Sequence, residues 1–533
     1  MYYGIDLGTT TTLIAEPDIK GSSYAARQLK IPQQDKAGNS IERDDLPSVA
    51  YFPGSEEPVV GMRAKEGVCG AVGKVVCAVK RLMGRDVQPF VFDGKSYDPS
   101  DISSLYIAHV LSQAVLLKKG RVSKLTVTVP ASFTTKQRKD TQKAIQKACE
   151  RLKVKYDDNA LISEPLAALL SYISYEIATS TIRIDIDKKP LVLVYDIGGG
   201  TLDLTLVRLQ WKDQRGEKDL KNVDFRVQRV GRYNQVGGED FDELIAEWLL
   251  ETMLEQFPEM DIQLDRYERK AVKAQLMAIA EQRKIEFNKE YCSDWDHEPV
   301  VNTVEVRQVR YEVESTLTHS DVVRVLEPLI GEADTPKNCV TSIQKFLAKQ
   351  GVTMAQVDHV LCVGGMSRFM PLKEALEKKY TPAGEKSKFI FNDSLADVAV
   401  AKGAAIYSYM KAEHTPPIQE PRADAYYAKT EKGFKKILGC IESENATLFT
   451  TVEAGDYLDL YVFAGEDCAA EYAEPRVLTS LMYQGGERIR FPHTFPKGTA
   501  LEVKMAVEND NKVPRYEIKA DGVAIHTNVM EIP

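Results

Sequence analysis

Two short segments place an aspartate, a glycine turn and threonines at the end of an apolar run. They are Asp6-Leu-Gly8-Thr9-Thr10-Thr11-Thr12 and Asp196-Ile-Gly198-Gly199-Gly200-Thr201. Glycine lets the backbone bring N–H groups up to anionic oxygens, threonine hydroxyls add donors, and the two carboxylates can hold Mg²⁺ through its water shell. One such hairpin would be weak evidence, because Gly and Thr after a strand often make only a turn. Two of them, able to face each other across a phosphate chain, favour phosphate binding. A third turn, Gly364-Gly365-Met-Ser367-Arg368, ends another apolar run. Glycines there allow a flat ring to lie on the backbone with Arg368 stacked on it. A Gly-Gly turn alone is more often structural, but its place after the Asp196 hairpin raises the functional reading.

The elements that must carry these turns are legible from periodicity. Apolar runs at Tyr2 to Leu7, Leu125 to Val129, Leu191 to Tyr195 and His359 to Val363 read as buried strands. Amphipathic stretches at Ile102 to Lys118, Lys136 to Arg151 and Asp240 to Gln256 read as helices, which predicts α/β layering. The recurrence of Tyr3-Gly-Ile-Asp6-Leu-Gly8 as Val194-Tyr-Asp196-Ile-Gly198 predicts two related halves, each opening with the same hairpin. The pattern changes after Tyr409: three prolines crowd into His414 to Arg422, which reads as a linker. Beyond it, alternating runs such as Tyr457-Leu-Asp-Leu-Tyr-Val-Phe and Leu501-Glu-Val-Lys-Met-Ala-Val predict an all-β unit.

The chain has 533 residues, enough for about three or four domains. Hydrophobic residues at 44% and charged residues at 28% exclude wholesale disorder or a fibrous repeat. From Glu420 onward 13 Lys and Arg stand against 19 Asp and Glu, so the last stretch carries −6 of the net −9. That balance argues against a nucleic-acid surface. The eight cysteines are scattered without a C-x-x-C pair, and free buried thiols in a reducing compartment are expected. With no signal-like start and no apolar run of membrane length, the expectation is a cytoplasmic protein with no membrane partner.

The ordered motifs resemble the actin-like ATPase superfamily and, within it, the DnaK-type 70-kDa heat-shock chaperones. They are GIDLGTTTT (4–12), LPSV (46–49), AVKRLMGR (78–85), TVTVPASF (126–133), ISEPLAALLSY (162–172), YDIGGGTLDLTLV (195–207), VGGEDFDELI (236–245), CVGGMSRFMPL (362–372) and DVAVAKGAA (397–405). The resemblance implies an actin-like, ribonuclease H-like ATPase of two lobes, about 1–190 and 191–410. It further implies a linker over 411–425 and a β-sandwich-like substrate domain over 426–533. It makes Thr9 to Thr12 the first phosphate loop and Gly198 to Thr201 the second. Asp6 and Asp196 become holders of the Mg²⁺ water shell, Glu164 and Thr201 neighbours of the attacking water, and Lys80 the lysine that positions water and γ-phosphate. These are roles that phosphoryl transfer needs more than covalent chemistry. Adenosine contacts fall to Gly364, Gly365, Ser367 and Arg368, with Asp397 nearby. Glu281, Lys284 and Asn288, at i, i+3 and i+7, lie on one helix face, and Gly238 with Glu239 forms a turn over ribose and phosphates. Pro130 and Arg138 match a relay between domains.

The implied cofactors are ATP or ADP with Mg²⁺, and K⁺ as a further ion. The implied partners are client polypeptide, a J-domain co-chaperone and a nucleotide-exchange factor, around a monomeric chain. Two departures stand out. Lys411 to Ala425 is proline-rich where the family has an acidic, leucine-rich linker, and the 114 residues from Glu420 suit a sandwich but leave no length for a helical lid. Tyr457, Tyr461 and Phe463 have two readings: alternation into the sandwich core, or part of a peptide-binding surface. The leading functional expectation is an ATP-hydrolysing chaperone. The alternative is a non-hydrolysing, nucleotide-bound scaffold or exchange-factor-like relative.

Overall fold

The computed structural model describes residues 1–533 except 22, 55–56, 67–73, 119–121, 155–157, 232–235, 260–263, 290, 292–298, 308, 334, 414–424, 431–432, 440–443, 451–454, 466–471, 474–481, 509–512, 521 and 530–533. Most of the proline-rich linker therefore lies outside the described residues. The helix before it, Ala399–Ala412, runs two residues past the expected boundary at 410.

The two halves have the same topology. In the first, strands lie in the order Asp158–Ser163, Lys124–Val129, Tyr2–Leu7, Thr11–Lys20, Ser23–Gln28. In the second the order is Phe389–Phe391, His359–Val363, Leu191–Ile197, Leu202–Trp211, Val223–Val230. The first two pairings of each sheet are parallel and the last two antiparallel. The repeated hairpin thus sits at the centre of each sheet, where helical crossovers cover both faces and demand continuous apolar runs.

Side-chain alternation decides which residues meet. Leu191, Leu193, Tyr195 and Ile197 pack outward against helices Gly238–Gln256 and Arg266–Lys289, while Val192 and Val194 pack on helices Glu164–Thr179 and Ala399–Ala412. Asp196 has the parity of the second set. In the first half Tyr3, Ile5 and Leu7 enter their own core, which leaves Gly4 and Asp6 on the opposite face. A Cβ on Gly4 would come within 2.1 Å of Ala405 N, and one on Gly403 within 1.8 Å of Ala167 O. Two glycines therefore let the last helix lie directly on the first strand and on helix Glu164–Thr179.

Between Ala425 and Val529 the described strands form two sheets, one of five strands and one of four. Tyr426, Leu438, Leu460, Val462 and Ile489 of the first share a core with Val503, Met505, Tyr516 and Ile518 of the second, which makes a sandwich. Within Gly455–Gly465 Leu460 and Val462 are buried, whereas Tyr457 and Tyr461 are 48% and 44% exposed. The reading that placed these two tyrosines in the core is therefore overturned, because the aliphatic residues take the inward phase. Arg488 stacks 4.2 Å from the Tyr457 ring centroid while pairing with Asp459 at 2.7 Å. Phe463 meets Phe434 edge-on. Cys149, Cys339 and Cys362 are free and buried as expected, but Cys77 is exposed. Its strand, Val75–Cys77, buries Val76 and turns Cys77 outward. Cys69, Cys292, Cys440 and Cys468 lie outside the described residues.

Candidate active site

The two glycine–threonine turns face each other. A Cβ on Gly199 would lie 2.3 Å from Thr10 Cγ2, and one on Gly200 2.7 Å from Thr9 Cγ2. Glycine is required there by close approach. Each loop has its own brace. Thr12 is fully buried with its hydroxyl 3.0 Å from Ser48 Oγ, and Ser48 Oγ donates to Gly8 O at 3.0 Å, so Thr12 supports the first loop from behind. The second loop closes with Gly198 N–H donating to Thr201 O, and it accepts Gly238 N–H at Gly198 O (3.0 Å) and Glu239 N–H at Gly199 O (2.7 Å). Arg81 donates to Gly200 O at 2.7 Å and pairs with Glu239 at 3.2 Å, linking the halves.

Lys80 lies on a single turn, Val79–Leu82, entered through Ala78 at φ 51°. A left-handed alanine costs roughly 1–2 kcal/mol, and here it aims the following lysine inward. Lys80 is buried and its ammonium bonds the Glu164 carboxylate at the N-terminus of helix Glu164–Thr179. Asp6, Asp196 and Asp203 complete the cluster. Asp203 stands directly opposite Asp196 in the hairpin register. Asp6 accepts from Thr128 Oγ1 at 2.9 Å and Asp203 from Ser132 Oγ at 3.1 Å.

Four carboxylates share one lysine, and the electrostatics follow. Burial first, then Glu164, raises Asp6 to about 7 against the pull of Lys80. The same two causes raise Asp203 to about 7. Asp196 is raised well above the ordinary carboxylate range by burial, then by Glu164, Asp203 and Asp6. Burial alone would lower the Lys80 ammonium, but Glu164 and Asp6 outweigh it and hold it above its ordinary value.

This negative excess suits a divalent cation. Among the described residues no three His, Cys, Asp or Glu converge closely enough to ligate a metal directly. Thr9 Oγ1 is buried without a partner, and a Cβ on Gly198 would meet nothing within 4 Å. An unpartnered donor beside an open loop fits a phosphate oxygen.

The remaining predicted residues gather beside the second loop. Gly364, at φ 83°, lies so close that a Cβ would strike Ile197 O at 2.3 Å. Only glycine tolerates both the angle and the approach. Gly365 faces Asp397, and Arg368 pairs with Asp397 at 2.5 Å and donates to Asp393 O. Ser367 is buried within the same turn. On helix Arg266–Lys289, Lys284 is buried, donates to Gly238 O at 3.1 Å and pairs with Asp242 at 2.7 Å. Glu281 takes Lys65 from the other half at 2.7 Å. Asn288 receives Met370 N–H at 2.7 Å and donates to Arg368 O at 3.2 Å, so its amide braces the Gly364–Arg368 turn. Pro130 is buried, and Arg138 Nε donates to Phe133 O at 3.2 Å.

Sequence reasoning assigned no role to Asp203, Ser48 or Arg81. Asp203 had a signal: a second acid seven residues after Asp196, which a hairpin centred on Gly198–Gly200 brings directly across.

Two halves of one topology, closing glycine–threonine loops over a lysine and a carboxylate cluster, define the actin-like class of two-lobed ATPases. A family model described as Hsp70 protein matches residues 2–415. With more than half of the chain matched, the protein belongs to the Hsp70 family and is a chaperone of the Hsp70 type. Members of this family are ATPases that bind ATP and ADP with Mg²⁺ and work on client polypeptides with co-chaperones.

Proposed function

We propose that this protein hydrolyses Mg-ATP to ADP and phosphate in the cleft between its halves and couples the cycle to binding of extended client polypeptide by the β-sandwich. The observation that carries the reading is the buried Lys80–Glu164 pair inside the acid cluster. Retention of a nucleotide needs only the loops and the Gly364 turn. A fully desolvated lysine set among four acids is costly to bury, and its gain comes where charge develops in phosphoryl transfer.

In this reading Thr9 Oγ1 and the Gly198–Gly200 N–H groups donate to phosphate oxygens. Mg²⁺, when bound, would neutralise phosphate charge, and Asp6 and Asp196 are the carboxylates that would hold it through water. Lys80 Nζ fixes the terminal phosphate against the attacking water, and Glu164 keeps Lys80 aimed and charged. Asp203, opposite Asp196, accepts a proton from the water at its carboxylate. Arg81 and Glu239 shut the loops and exclude bulk water. The free thiols of Cys77, Cys149, Cys339 and Cys362, among the described residues, support a cytoplasmic setting.

Single-turnover ATP hydrolysis of the wild type and Lys80→Ala tests the chemistry: equal rates would remove Lys80 from it. Phosphate release well in excess of protein would exclude the alternative, a nucleotide-retaining scaffold. Peptide titrations test the coupling, which fails if ATP turnover and peptide affinity are indifferent to each other.

A further inference from the structure

The connection between helices His319–Ile330 and Thr341–Lys349 lies outside the motifs singled out in the sequence, yet its Lys337 reaches the cleft. Lys337 Nζ lies 2.5 Å from Asp240 Oδ1. Asp240 is buried in the first turn of helix Gly238–Gln256. Its other oxygen accepts Gly237 N–H at 2.9 Å and stands 3.8 Å from the Arg81 guanidinium. A Cβ on Gly237 would strike Gly200 N and Gly198 O, so this is the turn that seals the second phosphate loop. The Asp240 carboxylate fixes that turn, and Lys337 fixes the carboxylate.

The connection is itself firmly held. Asn338 donates to Gly331 O and Ala333 O and accepts from the N–H groups of Val340 and Thr341. Tyr195, one residue before Asp196, donates to Cys339 O, and Tyr380 donates to Val340 O. A lysine on so constrained a backbone loses less freedom when it pairs.

We propose that Lys337 is a positioning residue for nucleotide retention: by holding Asp240 it keeps the Gly237–Glu239 turn closed on the Gly198–Gly200 loop and slows release of the nucleoside diphosphate. The proposal rests on the nucleotide reading of the cleft. Without Lys337, Asp240 Oδ1 loses its ammonium, and the other cation beside it among the described residues is Arg81. Movement of Asp240 toward Arg81 competes with the Arg81 bonds to Gly200 O and Glu239 that join the halves. Lys337 is 57% exposed at its side chain, so water replaces part of the lost interaction and the effect is moderate.

The test is stopped-flow release of a fluorescent ADP analogue with Mg²⁺ from the full chain, comparing wild type, Lys337→Met and Lys337→Arg, with single-turnover hydrolysis and thermal midpoints measured alongside. Lys337→Met should release ADP about fivefold faster, hydrolyse bound ATP within about twofold of wild type, and be largely restored by Lys337→Arg. Release from Lys337→Met at the wild-type rate overturns the proposal. So does equal acceleration in Lys337→Arg with the same drop in thermal midpoint, which would mean the connection acts only as structure. Failure of the wild type to take up the ADP analogue overturns the nucleotide reading itself, and this proposal with it.

Discussion

Lys80 faces Glu164, Asp6 and Asp203 from a buried position, so truncating it removes the cation that offsets several acids at once. Lys80→Ala should lower single-turnover ATP hydrolysis by about 10²–10³-fold, read as phosphate release from preformed complex. A second expectation concerns the nucleotide-free, Mg²⁺-free protein. Asp6 and Asp203 are raised to about 7 from an ordinary 3.8. Between about pH 4 and 7 the folded state then binds more protons than the unfolded chain, so the contribution of these groups is full below about 4 and is lost as pH rises through about 7. Asp203→Asn should flatten that slope, gaining on the order of 2 kcal/mol over wild type between pH 5 and 8. Thermal midpoints across pH check it, and equal slopes would contradict it. The motif residues Asp6, Asp196, Gly198 to Thr201 and Gly364 were legible because close backbone approach permits few residue types. Arg81 was not, since an exposed arginine and one that clasps Gly200 O look alike in a sequence. Nor was the bracing use of Asn288, because the helical spacing gave its face and not its partner.

The helix Ala399–Ala412 was hidden within an alanine-rich run whose weak amphipathicity reflects burial on several sides. Its Gly403 meets Ala167 O of helix Glu164–Thr179, the helix that carries Glu164. Gly403→Ala should therefore cost about 1–3 kcal/mol through overpacking, measured by denaturant midpoint. In the sandwich, Leu460→Ala should cost about 2–5 kcal/mol, whereas Tyr461→Ala should stay within about 0.5 kcal/mol. Comparable losses for both would place Tyr461 in the core after all. The strand Leu191–Ile197 was readable because a run apolar throughout must be buried on both faces. In the strand Gly455–Gly465 the inward phase was obscured by Tyr457, Tyr461 and Phe463, although Asp459 shares their phase and marks it as the solvent side.

Across the cleft the halves are joined by Lys65–Glu281 and Arg81–Glu239. Lys65 and Glu281 are 42% and 39% exposed, so salt screens their attraction. Nucleotide release should quicken as ionic strength rises. Lys65→Glu should quicken it about two- to fivefold at low salt, and Lys65→Glu with Glu281→Lys should restore it, followed by the same ADP-release assay. The internal duplication was visible in the two hairpins, and the shared strand order follows from it; the pairing of distant charges across the cleft had no counterpart in the pattern. One contact also bears on how the protein is made. Gly4 rests on Ala405, so the strand Tyr2–Leu7 waits for a helix synthesised about 400 residues later. At roughly 5–20 residues per second this is about 20–80 s during which the inner face of Tyr2–Leu7 lacks its cover, and the amino-terminal lobe becomes fully packed only when the ATPase portion of the chain is nearly complete.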